Sequence, residues 1–271
     1  MKKNQENISN AKLKQVLLGC LREAGALLGK SIHKIKKIDY KSEANLVTHY
    51  DKMLEKMILT RIKKSFPDHA ILAEESAPHG TSPYKWIIDP LDGTTNFAHT
   101  FPVSCVSIAV EKNGAVILGG VYDPFRDELF LGEKGAGAFL NGKKIQVSKT
   151  PDLKESLLCT GFPYDCRSYA KTYLDIFGAF MVRTHGIRRT GSAAIDICYV
   201  ACGRFDGFWE LKLNAWDTAA ASLICREAGG RVSNFKGSGY SIYEPEALVS
   251  NGLIHKEMVK ILGRYYHYPK S

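Results

Sequence analysis

The chain contains no apolar run of about 18 residues or more, so its sequence offers no membrane-spanning helix. It has no Cys-x-x-Cys pair, and its seven cysteines are scattered at 20, 105, 159, 166, 198, 202 and 225. Cys198 and Cys202 stand one helical turn apart with no histidine near them in sequence, so no zinc site is read there. The set reads as small core residues in a reducing cytoplasm. No linker, repeat or low-complexity stretch divides the 271 residues, and a hydrophobic share of 45% suits a globular chain with ample core. A phosphate loop is also lacking. Gly25-Ala-Leu-Leu-Gly-Lys-Ser31 has three residues between its glycines instead of four and falls at a helix end, where Gly29 reads as the C-cap. Gly132-Glu-Lys-Gly-Ala-Gly137 lacks the dinucleotide spacing and reads as turn material.

Acids are the minority charge: 28 against 37 lysines and arginines, for a formal net charge of +9. Basic clusters fall at Lys30 to Lys41, Arg61 to Lys64, Lys143-Lys144 and near the C-terminus. They read as a solvated surface, with a field that draws phosphorylated substrates as a second reading. No aromatic-basic interleaving of the single-strand-binding kind is present, which weighs against nucleic acid as a partner.

The acids that are present fall in a telling pattern. In Trp86-Ile-Ile-Asp-Pro-Leu-Asp-Gly-Thr-Thr-Asn-Phe97 three apolar residues read as the end of a buried strand, with Asp89 where the strand stops. Pro90 has no amide proton and cannot continue a sheet ladder. The turn can bring Asp92 beside Asp89. Gly93 can take positive φ, and Thr94 and Thr95 can open a helical turn. Two carboxylates about 4 Å apart repel by about 4 kcal/mol at an effective dielectric of 20, so a fold that keeps them close calls for a cation. Oxygen ligands suit a hard one, and the forward-pointing N–H groups suit phosphate. Ala70 to Ser76 is a second short strand, ending in Glu74 and Glu75; Glu75 reads as an exposed strand-end acid and not a ligand. Asn214 to Gly230 is a small-residue helix with Asp217 in its first turn, where a dipole-complementing role is the plainer alternative.

Periodicity places an amphipathic helix at 7–29, rather than a signal peptide, and a second helix opened by Thr48 and Asp51. Strands follow at 103–112, 115–122, 128–132 and 138–147, joined by Asn113-Gly114, Asp123-Pro124 and Asn141-Gly142 as an antiparallel meander. Further on lie a strand at 157–162, a helix at 169–180, a helix capped by Ser192 through Cys202, a strand at 205–210, the Trp216 helix, a strand near 248–250 and a helix at 255–265. A soft change of pattern near residue 150 suggests two halves, 1–150 and 151–271. Periodicity alone gives an α+β fold with a substantial antiparallel sheet.

Leu72 to Ser76, Trp86 to Phe97 and Trp216-Asp-Thr-Ala-Ala220 with Glu-Ala-Gly-Gly230 together resemble the inositol monophosphatase family of lithium-sensitive, magnesium-dependent phosphatases. Asn45 to Thr48 with Asp51, Gly135 to Gly142 and Arg189 to Ala194 support this, in family order over nearly the whole chain. Gly161-Phe-Pro-Tyr-Asp165 and Phe208 to Leu213 are similar to bacterial or archaeal members. Ala73 and Ala221 stand where the family often has glycine. The resemblance implies a layered α-β-α-β-α sandwich, a homodimer and two or three Mg2+ ions. It implies that Glu74, Asp89 and the Leu91 carbonyl bind one ion and Asp89, Asp92 and Asp217 another. It implies that Glu74, Asp51 and Thr94 are the catalytic set, with Thr94 orienting water and Asp51 as its partner. Asp51 is equally well read as a first-turn acid. Gly93, Thr94 and Thr95 would bind phosphate; Gly191, Ser192, Ala193 and Glu210 would bind substrate, and Lys212 could meet a second phosphate. The leading function is inositol-1-monophosphatase, with fructose-1,6-bisphosphatase or another small phosphate ester phosphatase as alternative. A regulatory RNA- or protein-binding role is the reading of another class.

Overall fold

The computed structural model describes residues 9–34, 38–40, 46–163 and 170–266. Residues 7 and 8 of the expected first helix, Asn45, Tyr164, Asp165, Cys166, Tyr169 and part of the Lys30–Lys41 run lie outside them.

Two helices open the chain. α1 (Asn10–Ser31) is capped by Ser9, whose side chain accepts from the Lys12 amide. It continues through Gly29 to Ser31, so Gly29 is an interior residue and not the C-cap; its α-carbon faces Pro124. β1 (Ile38–Tyr40) and β2 (Leu46–Thr48) pair antiparallel, and α2 (His49–Ser65) follows with a capping box made by Thr48 and Asp51.

A seven-stranded sheet comes next, ordered as it runs in the chain: β3 (Ala70–Ala73), β4 (Tyr84–Asp92), β5 (Cys105–Lys112), β6 (Ala115–Asp123), β7 (Glu128–Glu133), β8 (Gly137–Leu140) and β9 (Lys143–Lys144). β3 and β4 are parallel and the rest antiparallel. The strand expected over 138–147 is two short ones, because Asn141 (φ 48°) and Gly142 (φ 77°) form the turn between them. A five-membered turn-helix, α3 (Thr94–Ala98), projects from the end of β4.

The second sheet has the order β11-β10-β12-β14-β13, built from β10 (Leu157–Thr160), β11 (Gly186–Arg188), β12 (Gly207–Leu211), β13 (Arg231–Ser233) and β14 (Glu246–Ser250). Its helices are α4 (Ala170–Met181), α5 (Ala193–Ala201), α6 (Ala215–Glu227) and α7 (His255–Tyr265). β11 and β13, three residues each, escaped the sequence reading because so short a strand shows no period.

Side-chain alternation sorts these elements into five layers. Trp86 and Ile88 of β4, with Val106, Ile108 and Val110 of β5, pack against Leu13, Leu17 and Leu21 of α1 and Leu54 and Ile58 of α2. The opposite face, with Ile87, Ala109, Val121 and Phe130, packs on α5 and α6, which also cover Cys159, Phe208 and Val249 of the second sheet. Leu158, Trp209 and Leu248 face outward to α4 and α7 through Tyr173, Phe180, Met258 and Leu262. The order is α-β-α-β-α, as expected. α6 fits closely because β6 and β7 present Gly119 and Gly132 to it: a methyl on Gly119 would lie 2.8 Å from the Ala220 α-carbon. Ala73 and Ala221 are both buried without strain in φ.

Candidate active site

The Asp89–Asp92 segment is set by a β-bulge. Asp89 pairs with Ser107 and Asp92 with Cys105, so Pro90 and Leu91 oppose the single residue Val106. The strand therefore resumes at Asp92 instead of ending at Asp89. Pro90 needs no ladder partner at a bulge, which reconciles it with a sheet interior. In an unbulged strand residues three apart face opposite sides. The extra residue cancels that alternation: Asp89 follows Ile87 toward the middle layer, Leu91 turns into the α1–α2 core, and Asp92 reaches α5.

Asp92 Oδ2 accepts from Ser192 Oγ at 2.6 Å and from the Ala194 amide at 2.7 Å, which ties the bulge to the start of α5. Asp89 Oδ1 accepts from the Leu91 amide at 3.0 Å. Gly93, at φ 93°, caps α3; a methyl there would lie 2.8 Å from the Val103 carbonyl oxygen. Thr94 Oγ1 lies 3.0 Å from both Asp51 Oδ1 and the Leu91 carbonyl oxygen. Asp51 Oδ2 meanwhile accepts from the Thr48 amide and hydroxyl, each at 2.7 Å. Asp51 thus caps α2 with one oxygen and meets Thr94 with the other.

Asp217 is likewise part of a capping box, accepting from the Asn214 amide at 2.6 Å at the start of α6. Glu74 follows β3, its amide bonded to the Ile88 carbonyl at 3.2 Å. Glu74, Asp89, Leu91, Asp92, Gly93, Thr94, Thr95 and Asp217 line one cavity of about 260 Å3, opposite Gly191, Ser192, Ala193, Glu210 and Lys212. Asp51 is not on the cavity wall; it stands behind Thr94. Glu75 is away from it, its amide bonded to Glu55. Lys212 holds a left-handed backbone, φ 61°.

The cavity is electrostatically loaded. Burial first, then the charges of Glu74, Asp92 and Asp217, hold the Asp89 carboxyl well above the usual carboxylate range. Asp217 is raised by burial and by Asp92, and Asp92 by burial against the opposing hydrogen bonds from Ser192 and Ala194. Among the described residues no three His, Cys, Asp or Glu side chains stand ready as a metal-holding group; Asp89, Asp92 and Asp217 each accept from a nearby N–H or hydroxyl instead. The donor set still fits a hard cation: Asp89 and Asp92 on β4, Asp217 on α6 and Glu74 just past β3 bring carboxylate oxygens to one cavity, where burial raises Asp89, Asp92 and Asp217.

Asp196, Arg189 and Gly161 are among the wall residues assigned no role from the sequence. Asp196, 1% exposed, lies in the first turn of α5 and accepts from Thr190 Oγ1 at 2.6 Å. Its position four after Ser192 reads as an ordinary dipole-complementing acid. Arg189 and Gly161 sit inside segments that carried the family resemblance but had no role of their own.

A five-layered α+β protein with an acid-lined cleft between its two sheets, fed by a bulged Asp-Pro-Leu-Asp strand, defines the class. Residues 9–266 match the inositol monophosphatase family, and the chain belongs to it. It is 49% identical over 245 residues to an inositol-1-monophosphatase of Synechocystis sp. (strain ATCC 27184 / PCC 6803 / Kazusa), covering 88% of this chain and 84% of that protein. It is 43% identical over 242 residues to a Nus factor SuhB of Escherichia coli (strain K12), covering 88% and 91%. The solved inositol monophosphatase of Anabaena (Nostoc) sp. PCC 7120 superposes with a TM-score of 0.87 at 40% identity, over 95% of this chain and 98% of that one. The family is one of metal-dependent phosphatases. Among the described residues no helix is long and apolar enough to cross a membrane.

Proposed function

We propose that the protein is a magnesium-dependent phosphate monoester hydrolase acting on myo-inositol 1-phosphate, releasing myo-inositol and phosphate. The observation that carries this is the single cavity shared by Glu74, Asp89, Asp92 and Asp217 and the Gly93–Thr95 turn. Glu74, Asp89, the Leu91 carbonyl, Asp92 and Asp217 would hold two or three Mg2+ ions, which supply charge to the phosphate oxygens and acidify attacking water. Gly93, Thr94 and Thr95 offer N–H and hydroxyl groups to the phosphate. Thr94 donates toward Asp51, which leaves its oxygen lone pairs to accept from a water and hold it in line. Glu74, on the same cavity wall, would act on that water too. Gly191, Ser192, Ala193 and Glu210 face the alcohol. The same reading carries lithium inhibition, a homodimer and a cytoplasmic location.

The test is phosphate release from inositol 1-phosphate, fructose 1,6-bisphosphate and 4-nitrophenyl phosphate, with and without Mg2+. Inositol 1-phosphate should give the highest kcat/KM, abolished by chelation and restored by Mg2+ but not in excess Li+. Chelator-resistant release would sink the reading.

A second reading has its own ground: relatives named Nus factor SuhB match at 43% identity, and the charge is +9. Charge reversal in the Arg61–Lys64 cluster separates the two. A cellular effect lost while phosphate release persists would establish a regulatory RNA- or protein-binding role beside the catalytic one.

A further inference from the structure

Glu210 is 8% exposed, lines the cavity, and makes no side-chain hydrogen bond or ion pair among the described residues. A buried carboxylate without partners costs more than one that is satisfied, unless something entering the cavity satisfies it. Two features bear on it. Gly161, just past β10, leaves open the volume the carboxylate occupies: a methyl at that position would overlap the carboxylate atoms of Glu210. Asp196, held by the Thr190 hydroxyl, lines the same cavity from α5, and burial, then the Asp196 charge, raise the Glu210 carboxyl above the usual range. None of these groups belongs to the proposed metal-holding set.

We propose that Gly161 and Asp196 are positioning residues that set specificity for polyhydroxylated phosphate esters, by holding the Glu210 carboxylate where it accepts from neighbouring substrate hydroxyls. The inference rests on the phosphatase reading and deepens it. A carboxylate has acceptor capacity for two hydroxyls at once. A site built to bond a hydroxyl rejects an analogue without one, because its polar group is then left unpaired. The backbone φ of Gly161 is not in the left-handed region, and what a methyl would displace is the far end of a flexible side chain. Gly161→Ala therefore leaves the fold intact and moves the carboxylate.

The test compares myo-inositol 1-phosphate with 4-nitrophenyl phosphate, which lacks hydroxyls on its alcohol half. Gly161→Ala should raise KM for the inositol ester by about tenfold or more and leave KM for the aryl ester within about twofold. Asp196→Asn, which keeps an acceptor for Thr190, should raise KM for the inositol ester alone by about threefold or more. In a Glu210→Ala background, Gly161→Ala should add nothing, since the group it displaces is gone. Equal KM changes on both esters, no change on either, or a full Gly161→Ala effect without Glu210 would each overturn the proposal. A parent protein inert on both esters would instead sink the phosphatase reading, and this one with it. An active parent with non-selective variants sinks the specificity role alone.

Discussion

Two acids, one behind the cleft wall and one on it, cap a helix and face a second group as well. Asp51 caps α2 with one oxygen and meets Thr94 with the other; Asp217 caps α6 while facing the cavity. Replacing such a residue by its amide keeps the acceptor needed at the cap and removes the charge. Asp217→Asn should therefore retain the Asn214 contact and the fold. Its melting temperature should hold or rise, because a buried charge repelled by Asp92 and Glu74 is gone. Phosphate release should fall by about 100-fold or more, together with stabilisation by added Mg2+. Paired thermal scans with and without Mg2+ check both; an unchanged turnover would remove Asp217 from the metal site. Thr94→Val is the companion change. It deletes the donor to Asp51 without touching a carboxylate, so it should lower kcat while leaving Mg2+ stabilisation near the parent's.

Between elements, fit is decided by small residues and by one buried histidine. Gly119 of β6 faces the Ala220 backbone on α6, so Gly119→Ala has no flexible side chain to push aside. A loss of about 1–3 kcal/mol in urea unfolding is expected, with activity reduced because α6 carries Asp217. His255 opens α7 with no exposure and bridges the last two strands: it donates from Nε2 to Ser233 Oγ (2.9 Å) and accepts at Nδ1 from Ser250 Oγ (2.8 Å). The tautomer follows because Ser233 already donates to the Asn234 carbonyl and Ser250 accepts from the Gly252 amide. Burial, aided by Arg231, lowers its pKa to about 4. The unfolded chain then binds the extra proton first, so this contribution is full above about pH 6.5 and is lost as pH falls toward 4. Relative to the parent, His255→Gln should be less stable at pH 7 but lose less on acidification to pH 4.5, by roughly 2 kcal/mol. Parallel acid losses would assign the titration elsewhere. These contacts also mark the limit of what was legible in the sequence. The long helices and the meander show their periods plainly. Gly119 against Ala220, the bulge that puts Asp89 and Asp92 on one face, and the three-residue strands depend on register between segments far apart in the chain. A linear pattern does not carry that information. For the same reason the acids of the cleft were readable from their motifs, whereas Asp196 looked like any first-turn acid.

At the scale of the molecule, a positive chain surrounds a negative cleft. The net charge of +9 coexists with a cavity wall of Glu74, Asp89, Asp92, Asp196, Glu210 and Asp217, relieved by Arg189 and Lys212. Bound divalent ions would reverse the sign inside and make the whole surface attractive to a phosphorylated substrate. Long-range attraction of this kind acts on encounter, and is screened over about 10 Å at 0.1 M salt. Raising KCl from about 20 to 300 mM at saturating Mg2+ should therefore lower kcat/KM for inositol 1-phosphate by about three- to tenfold while changing kcat little. Reversing two lysines, as in Lys63→Glu with Lys64→Glu, should flatten that salt dependence without altering kcat, since α2 presents both on the outer layer away from the cleft. A kcat that falls in step with kcat/KM would place the salt effect on the site itself, and the surface charge would then be left without a part in substrate capture.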